Sequence, residues 1–258
     1  MTQNTNPSVT ERYGPDPASV LAENIASVRE RIAAACQQSG TDTSAVRLLP
    51  ISKTVPAEAL RIAHGLGMNE LGENKVQEAK NKSEALSDLP IRWVIVGHLQ
   101  SNKAKYVARF ASEFQALDNP RVADALNKRL AAEQREMDVF VQVNTSDEDT
   151  KFGLQVDEVH PFLDTLEQYP QLRPKGFMTL ALFSDDKDRV RRCFVKLREL
   201  RDKLSNQTPA GAMSELSMGM SGDYELAIAE GSTVVRVGQS IFGARKTPDS
   251  HYWPEKSK

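Results

Sequence analysis

From Pro17 onward the chain alternates short β-branched runs with amphipathic helical stretches, and few residues stand between them. That alternation limits the fold more than any single motif does, because strands separated by helices pair in parallel through right-handed crossovers. Pro17 to Ser39 carries Leu21, Ile25, Val28, Ile32 and Cys36 at helical spacing and meets Gly40 as a stop. Strand-like runs follow at 46–52, 68–71, 91–96, 114–117, 138–143, 173–180, 216–218 and 233–237. The sixth is weakly marked, since Pro174 and Gly176 interrupt it. Helical stretches come after them at 56–64, 74–85, 102–110, 119–133, 156–166, 185–204, 223–230 and 239–242. Eight such units behind one extra helix predict an α/β fold, a single closed (β/α)8 TIM-type barrel, and 258 residues suit one. An open doubly wound sheet is disfavoured: Gly65-Leu-Gly67 lacks the third glycine of a dinucleotide fingerprint, and no glycine-rich loop ends in Gly-Lys-Ser/Thr. The barrel is expected to span 17–245, with flexible tails at 1–16 and 246–258.

Barrels of this kind carry their chemistry where strands end. After the apolar run Leu216 to Met218, Gly219 and Gly222 keep the turn free of bulk, and the helix from Asp223 starts with unpaired amides. The last strand closes at Gly238, and Gln239 to Phe242 reads as a second short helix start aimed at the same place. Two such cups at the ends of successive strands predict a bound phosphorylated small molecule.

Lys53 closes the first strand, in Leu48-Leu-Pro-Ile-Ser-Lys53. A lysine opening a loop is ordinarily solvated; the sharper reading is a Schiff-base amine, partly shielded from water so that some of it is uncharged. A phosphate site after the seventh and eighth strands favours the second, with a phosphorylated aldehyde lying across the mouth. Arg236 sits two residues before Gly238. It either pairs with a carboxylate or faces the ligand as a permanent cation and donor.

Six segments then match one known family: Ile51-Ser-Lys-Thr54, Gly72-Glu-Asn-Lys-Val-Gln-Glu78, Gly97-His-Leu-Gln-Ser-Asn-Lys103, Asn144 to Leu154, Ser217-Met-Gly-Met-Ser221 and Gly231 to Arg245. Together, from about Val46 to Arg245, they resemble the pyridoxal-phosphate homeostasis proteins, the YggS-like family also called proline synthetase co-transcribed homologues. The resemblance implies a barrel similar to the N-terminal domain of alanine racemase, with pyridoxal 5′-phosphate held covalently on Lys53. It implies Arg236 at the pyridine nitrogen, where a guanidinium leaves the ring a weak electron sink. Ser217, Met220, Ser221, Gly238 and Gln239 match phosphate positions. Gln239 stands where many relatives have a hydroxyl residue, and Lys75 where tyrosine is frequent. Asn74 contacts the cofactor or caps the next helix, and capping suits an asparagine there.

Composition narrows the rest. A net charge of −2 disfavours a nucleic-acid binder. Cys36 and Cys193 lie inside helical patterns and suit neither a disulfide nor a thiolate site, and the four histidines show no ligand spacing. His98, just past the third strand, reads as a loop histidine. The basic residues between Lys187 and Lys203 read as a solvated helix face. With no apolar signal core or bilayer-length run, the expected address is the cytoplasm. Three functions stay open: a carrier that buffers pyridoxal phosphate and hands it to apo-enzymes, a racemase-like enzyme using it, or an aldolase using Lys53 directly. The carrier is preferred, because related barrel enzymes carry a further β domain whereas this barrel ends near Arg245. It is expected to be a monomer or weak dimer without robust turnover.

Overall fold

A computed structural model describes residues 8–146, 148, 152–205 and 213–244. Its eight strands are β1 (Arg47–Pro50), β2 (Glu70–Glu73), β3 (Arg92–Ile95), β4 (Ala111–Leu117), β5 (Met137–Gln142), β6 (Leu172–Met178), β7 (Glu215–Met220) and β8 (Val234–Val237). All pair in parallel, each with its sequence neighbour, and β8 returns to β1 in the register Leu49 to Arg236. Between β1 and β2 the ring is closed by a parallel bridge from Ile51 to Gly72, where the Ser52 N–H donates to the Gly72 carbonyl at 2.9 Å. The fold is the predicted barrel.

Crossover helices α3 (Ala57–Gly65), α4 (Val76–Ala85), α5 (Ala104–Phe110), α6 (Pro120–Ala132), α7 (Val159–Leu166) and α8 (Lys187–Ser205) wrap it. The last two, α9 (Tyr224–Ala229) and α10 (Gln239–Phe242), are too short to cover β8 and β1. The long helix ahead of the barrel, α2 (Pro17–Ser39), fills that gap: its stripe Leu21, Ile25, Val28, Ile32 and Cys36 is buried in one cluster with Val235, Val237 and Ile241. Its ends are local. Asp16 caps the Ser19 N–H, and Gly40 adopts the left-handed conformation of a C-cap.

The described part of the N-terminal segment, expected to be a flexible tail, is ordered. Ser8 and Glu11 form a capping box on α1 (Val9–Tyr13), and Val9 and Tyr13 are buried. The Tyr13 hydroxyl donates to the Phe242 carbonyl, as does Arg12 Nε, so α1 straps α10 in place. Residues 1–7 and the expected tail 246–258 lie outside the described residues. On α8 the basic face is only partly solvated, because Arg191 and Arg198 both pair with Glu230 just past α9.

At the lower end of the barrel, charges from successive strands interlock. Arg47 bonds Glu70 and Glu113, Arg92 bonds Glu70, Glu113 and Asp138, and Arg173 bonds Asp138. Each buried or half-buried carboxylate thus meets at least one guanidinium, which offsets its desolvation.

The two glycines of the β7 turn separate. A Cβ on Gly219 would lie 2.6 Å from Ala227 Cβ and 2.9 Å from Tyr224 Cα, and its φ is +92°, so α9 packs against β7 only over a glycine. Gly222 has nothing within 4 Å of a Cβ, so protein packing does not require a glycine there. Gly219→Ala is therefore expected to lose about 2 kcal/mol or more in denaturant unfolding, and Gly222→Ala to stay within about 0.5 kcal/mol.

Candidate functional site

Lys53 lies in the turn after β1, and its side chain is buried, with 6% exposure. The reading of this lysine as a solvated loop residue does not hold. The Ile51 N–H donates to the Val237 carbonyl at 2.9 Å, so β1 and β8 run side by side up to Ile51 and Val237, just before Lys53. Arg236, one strand over, is 4% exposed. Among the described residues it forms no ion pair: Nη1 donates to Ser217 Oγ at 2.6 Å and Nη2 to the Thr179 carbonyl at 2.7 Å. Burial lowers its pKa to about 10, with Asp223 pulling weakly the other way. Two of its five N–H groups are engaged, and the carboxylate partner of the structural reading is missing.

What holds Arg236 is a column of buried hydrogen bonds along the barrel axis. Ser217 Oγ donates to Gln115 Oε1 at 2.7 Å, Gln115 Nε2 donates to Glu113 Oε1 at 2.6 Å, and Glu113 is fixed by Arg47 and Arg92. Beside it, Thr179 Oγ1 donates to the Val143 carbonyl and shares a hydrogen bond with Thr145 Oγ1. Ser217, expected among the phosphate positions, sits inside the barrel with its hydroxyl committed to Arg236 and Gln115.

The two cups do converge. Ser221 Oγ accepts the Gly238 N–H at 3.2 Å, linking the turn after β7 to the start of α10. Among the described residues the N–H groups of Ser221, Gly222, Gln239 and Ser240 donate to no protein acceptor, the first two in the turn before α9 and the last two in the first turn of α10. Met220 departs from expectation: its N–H donates to Asp223 Oδ1 at 2.6 Å. Burial raises the Asp223 carboxyl above its ordinary range, although the Met220 N–H and the charge of Arg236 act against it. Gln239 is exposed, with its side chain outward and its amide at the helix start.

Asn74 does not cap α4. Lys75 occupies the N-cap position and makes no side-chain cap bond, so Asn74 stays half-exposed at the end of β2. The loop after β3 lies directly on it, because a Cβ on Gly97 would fall 2.1 Å from the Asn74 carbonyl oxygen. His98 stacks on Phe152, centroids 4.3 Å apart. A groove of about 840 Å3 between α8 and the loop after β5 includes none of Lys53, Ser221 and Arg236 among its lining and carries both signs of charge, Arg189 and Lys196 with Asp188 and Glu199.

Sequence reasoning missed Gln115, Thr179 and a charged trio beside Lys53: buried Glu73 and Lys82 with half-buried Glu78. Lys82 Nζ donates to Glu73 Oε1 at 2.6 Å and Glu78 Oε1 at 2.7 Å. Its signal was legible, since Lys82 falls on the apolar stripe of α4 with Val76 and Ala79 and stands four residues after Glu78. Burial raises the Glu73 carboxyl to about 7, against the pull of Lys82 and with Glu78 adding to the rise. Glu73 Oε2 has no hydrogen-bond partner among the described residues. A carboxyl whose folded pKa exceeds its unfolded one favours folding at low pH, and that contribution is lost as pH rises from about 4.3 to about 7. Glu73→Gln, which stays neutral, is expected to gain on the order of 1 kcal/mol or more over the wild type between about pH 5 and pH 8, read by denaturant unfolding of the ligand-free protein. Parallel pH profiles for the two proteins would contradict this.

A profile of the alanine racemase N-terminal domain matches residues 21–246. Proteins of Aquifex aeolicus and Pseudomonas aeruginosa, both named pyridoxal phosphate homeostasis protein, are each 39% identical, over 224 and 227 residues. The matches cover 87% and 88% of this chain and 98% and 96% of those relatives. A solved structure of PipY from Synechococcus elongatus, with PLP bound, superposes with a TM-score of 0.75 at 32% identity, covering 86% of this chain and all of that one.

Proposed function

Since the chain belongs to the family of pyridoxal phosphate homeostasis proteins, we propose that it binds pyridoxal 5′-phosphate at the barrel mouth, holds it covalently through Lys53, and releases it to other proteins. The observation that carries this reading is the pairing of a buried lysine with a buried arginine that forms no ion pair among the described residues, at the ends of adjacent strands and beside unengaged amides. Those groups fit the cofactor part by part. When bound, it supplies an aldehyde for an amine, a ring nitrogen that accepts a hydrogen bond, and a phosphate.

Lys53 presents the amine. Attack needs its uncharged form, which a site shielded from water favours. Arg236, fixed from behind by Ser217 and the Thr179 carbonyl, keeps donors for the ring nitrogen. A guanidinium there is a poor proton source, so the nitrogen stays unprotonated. Ser221, Gly222 and Gln239 form the phosphate cradle through backbone amides and the Ser221 hydroxyl, with Gly238 tying its two halves together through its bond to Ser221. Ser217 acts as the support of Arg236, and Met220 shapes the turn while its amide serves Asp223. Asn74 faces the cofactor from the loop after β2. No helix among the described residues is long and apolar enough to cross a membrane, which is compatible with a cytoplasmic protein acting as a monomer or weak dimer.

A carrier should transfer its cofactor faster than it turns over amino acids, because Arg236 leaves the ring a weak electron sink. Incubation of the loaded protein with L- and D-alanine in deuterated water, alongside an unrelated apo-enzyme, checks this. Activation of the apo-enzyme is expected, with α-carbon deuteration slower by about 10²-fold or more. Sustained deuteration without transfer would instead assign a racemase-like activity. An aldolase using Lys53 directly would show neither.

A further inference from the structure

We propose that Glu78, Lys82 and Glu73 are positioning residues for Lys53, clamping the peptide groups on either side of it so that its amine stands where capture of the cofactor occurs. The inference rests on the reading of Lys53 given above. In that capture a C=N bond forms between Lys53 Nζ and the aldehyde carbon, and the aldehyde oxygen leaves as water with the two amine protons.

The clamp is built from both sides. Lys82 Nζ donates to the Ser52 carbonyl at 2.6 Å, and its other two protons go to Glu73 Oε1 and Glu78 Oε1. Glu78 Oε1 also accepts the Thr54 N–H at 2.5 Å. Ser52 Oγ donates to Glu73 Oε1 at 2.6 Å, and the Thr54 carbonyl accepts Arg12 Nη1 at 3.0 Å. Thr54 has a φ of +65°, a left-handed conformation that a β-branched residue adopts only when its surroundings enforce it. The residues before and after Lys53 are thus pinned by charged groups of β2 and α4.

A scaffold role alone is a poor explanation for these residues. Val76 and Ala79 already seat α4 on the core, and an apolar side chain at position 82 would do so without burying an ammonium beside two carboxylates. Lys82 and Glu78 instead converge on the two peptide groups flanking one lysine, and Glu73 holds Lys82 and the Ser52 hydroxyl from behind. Holding a reacting amine in a narrow set of orientations is what such preorganisation achieves.

The test measures capture and noncovalent binding separately. Apo wild type, Glu78→Ala and Glu78→Gln are mixed with pyridoxal phosphate, and capture is followed by visible absorbance and by mass after borohydride reduction. The same Glu78 substitutions are then placed in Lys53→Ala, where calorimetry reads noncovalent affinity. Glu78→Ala is expected to slow capture by about tenfold or more, and Glu78→Gln, which keeps an acceptor for the Thr54 N–H, by about threefold. In the Lys53→Ala background affinity should change by less than about twofold. Capture at the wild-type rate in either variant overturns the proposal. So does an equal loss of noncovalent affinity, which would mean a merely structural role. Should Glu78→Ala fail to fold, Glu78→Gln decides alone. If the wild type forms no adduct on Lys53, the reading of the site falls first; a normal wild type with unaffected variants removes only the clamp.

Discussion

The structure turns on a guanidinium buried inside a barrel that forms no ion pair among the described residues and feels only the charge of Asp223. Arg236 is held by Ser217 and the Thr179 carbonyl, Ser217 by Gln115, and Gln115 by Glu113, which ends in the arginines at the lower rim. A charge in such a place is costly unless its hydrogen bonds are made. The column runs from Arg236 on β8 to Ser217 on β7 and then to Gln115 and Glu113 on β4, so it forms only when β4, β7 and β8 are in register. The mouth is therefore set from the bottom of the barrel upward, and Arg236 arrives with donors to spare where an apolar residue would have been more stable.

Lys53 depends on the same register. Parallel pairing of β1 with β8 runs to Ile51, two residues before the lysine, and the Ser221–Gly238 bond draws the turn after β7 to the end of β8. Three strand ends thus supply amine, cation and amide cradle within one rim. Short α9 and α10 leave that rim open, and their brevity is compensated on the outside by α2 and its strap α1.

Much of this was legible in the sequence where the signals are local. Proline at the start of α2, Gly40 at its end and a continuous apolar stripe marked that helix residue for residue. Lys53 and Arg236 stood out because a charged residue at the end of an apolar strand is conspicuous. The Ser8-to-Glu11 capping box was equally readable, yet the polar composition around it suggested a tail. Other features have no local trace. β4 starts at Ala111 rather than at 114 because its pairing with β3 shifts at Trp93 and Val94. Ser217 accepts from Arg236 and donates to a glutamine 102 positions away, and Met220 loses its amide to a carboxylate that reads, in sequence, only as a helix start.

The central claim is that Lys53 is the amine that holds the cofactor. Borohydride reduction of the loaded protein, followed by peptide mass spectrometry, tests it most directly. A single reduced pyridoxyl-phosphate adduct on the peptide bearing Lys53 is predicted. An adduct on another lysine with Lys53 unmodified, or none at all at saturating cofactor, would contradict it.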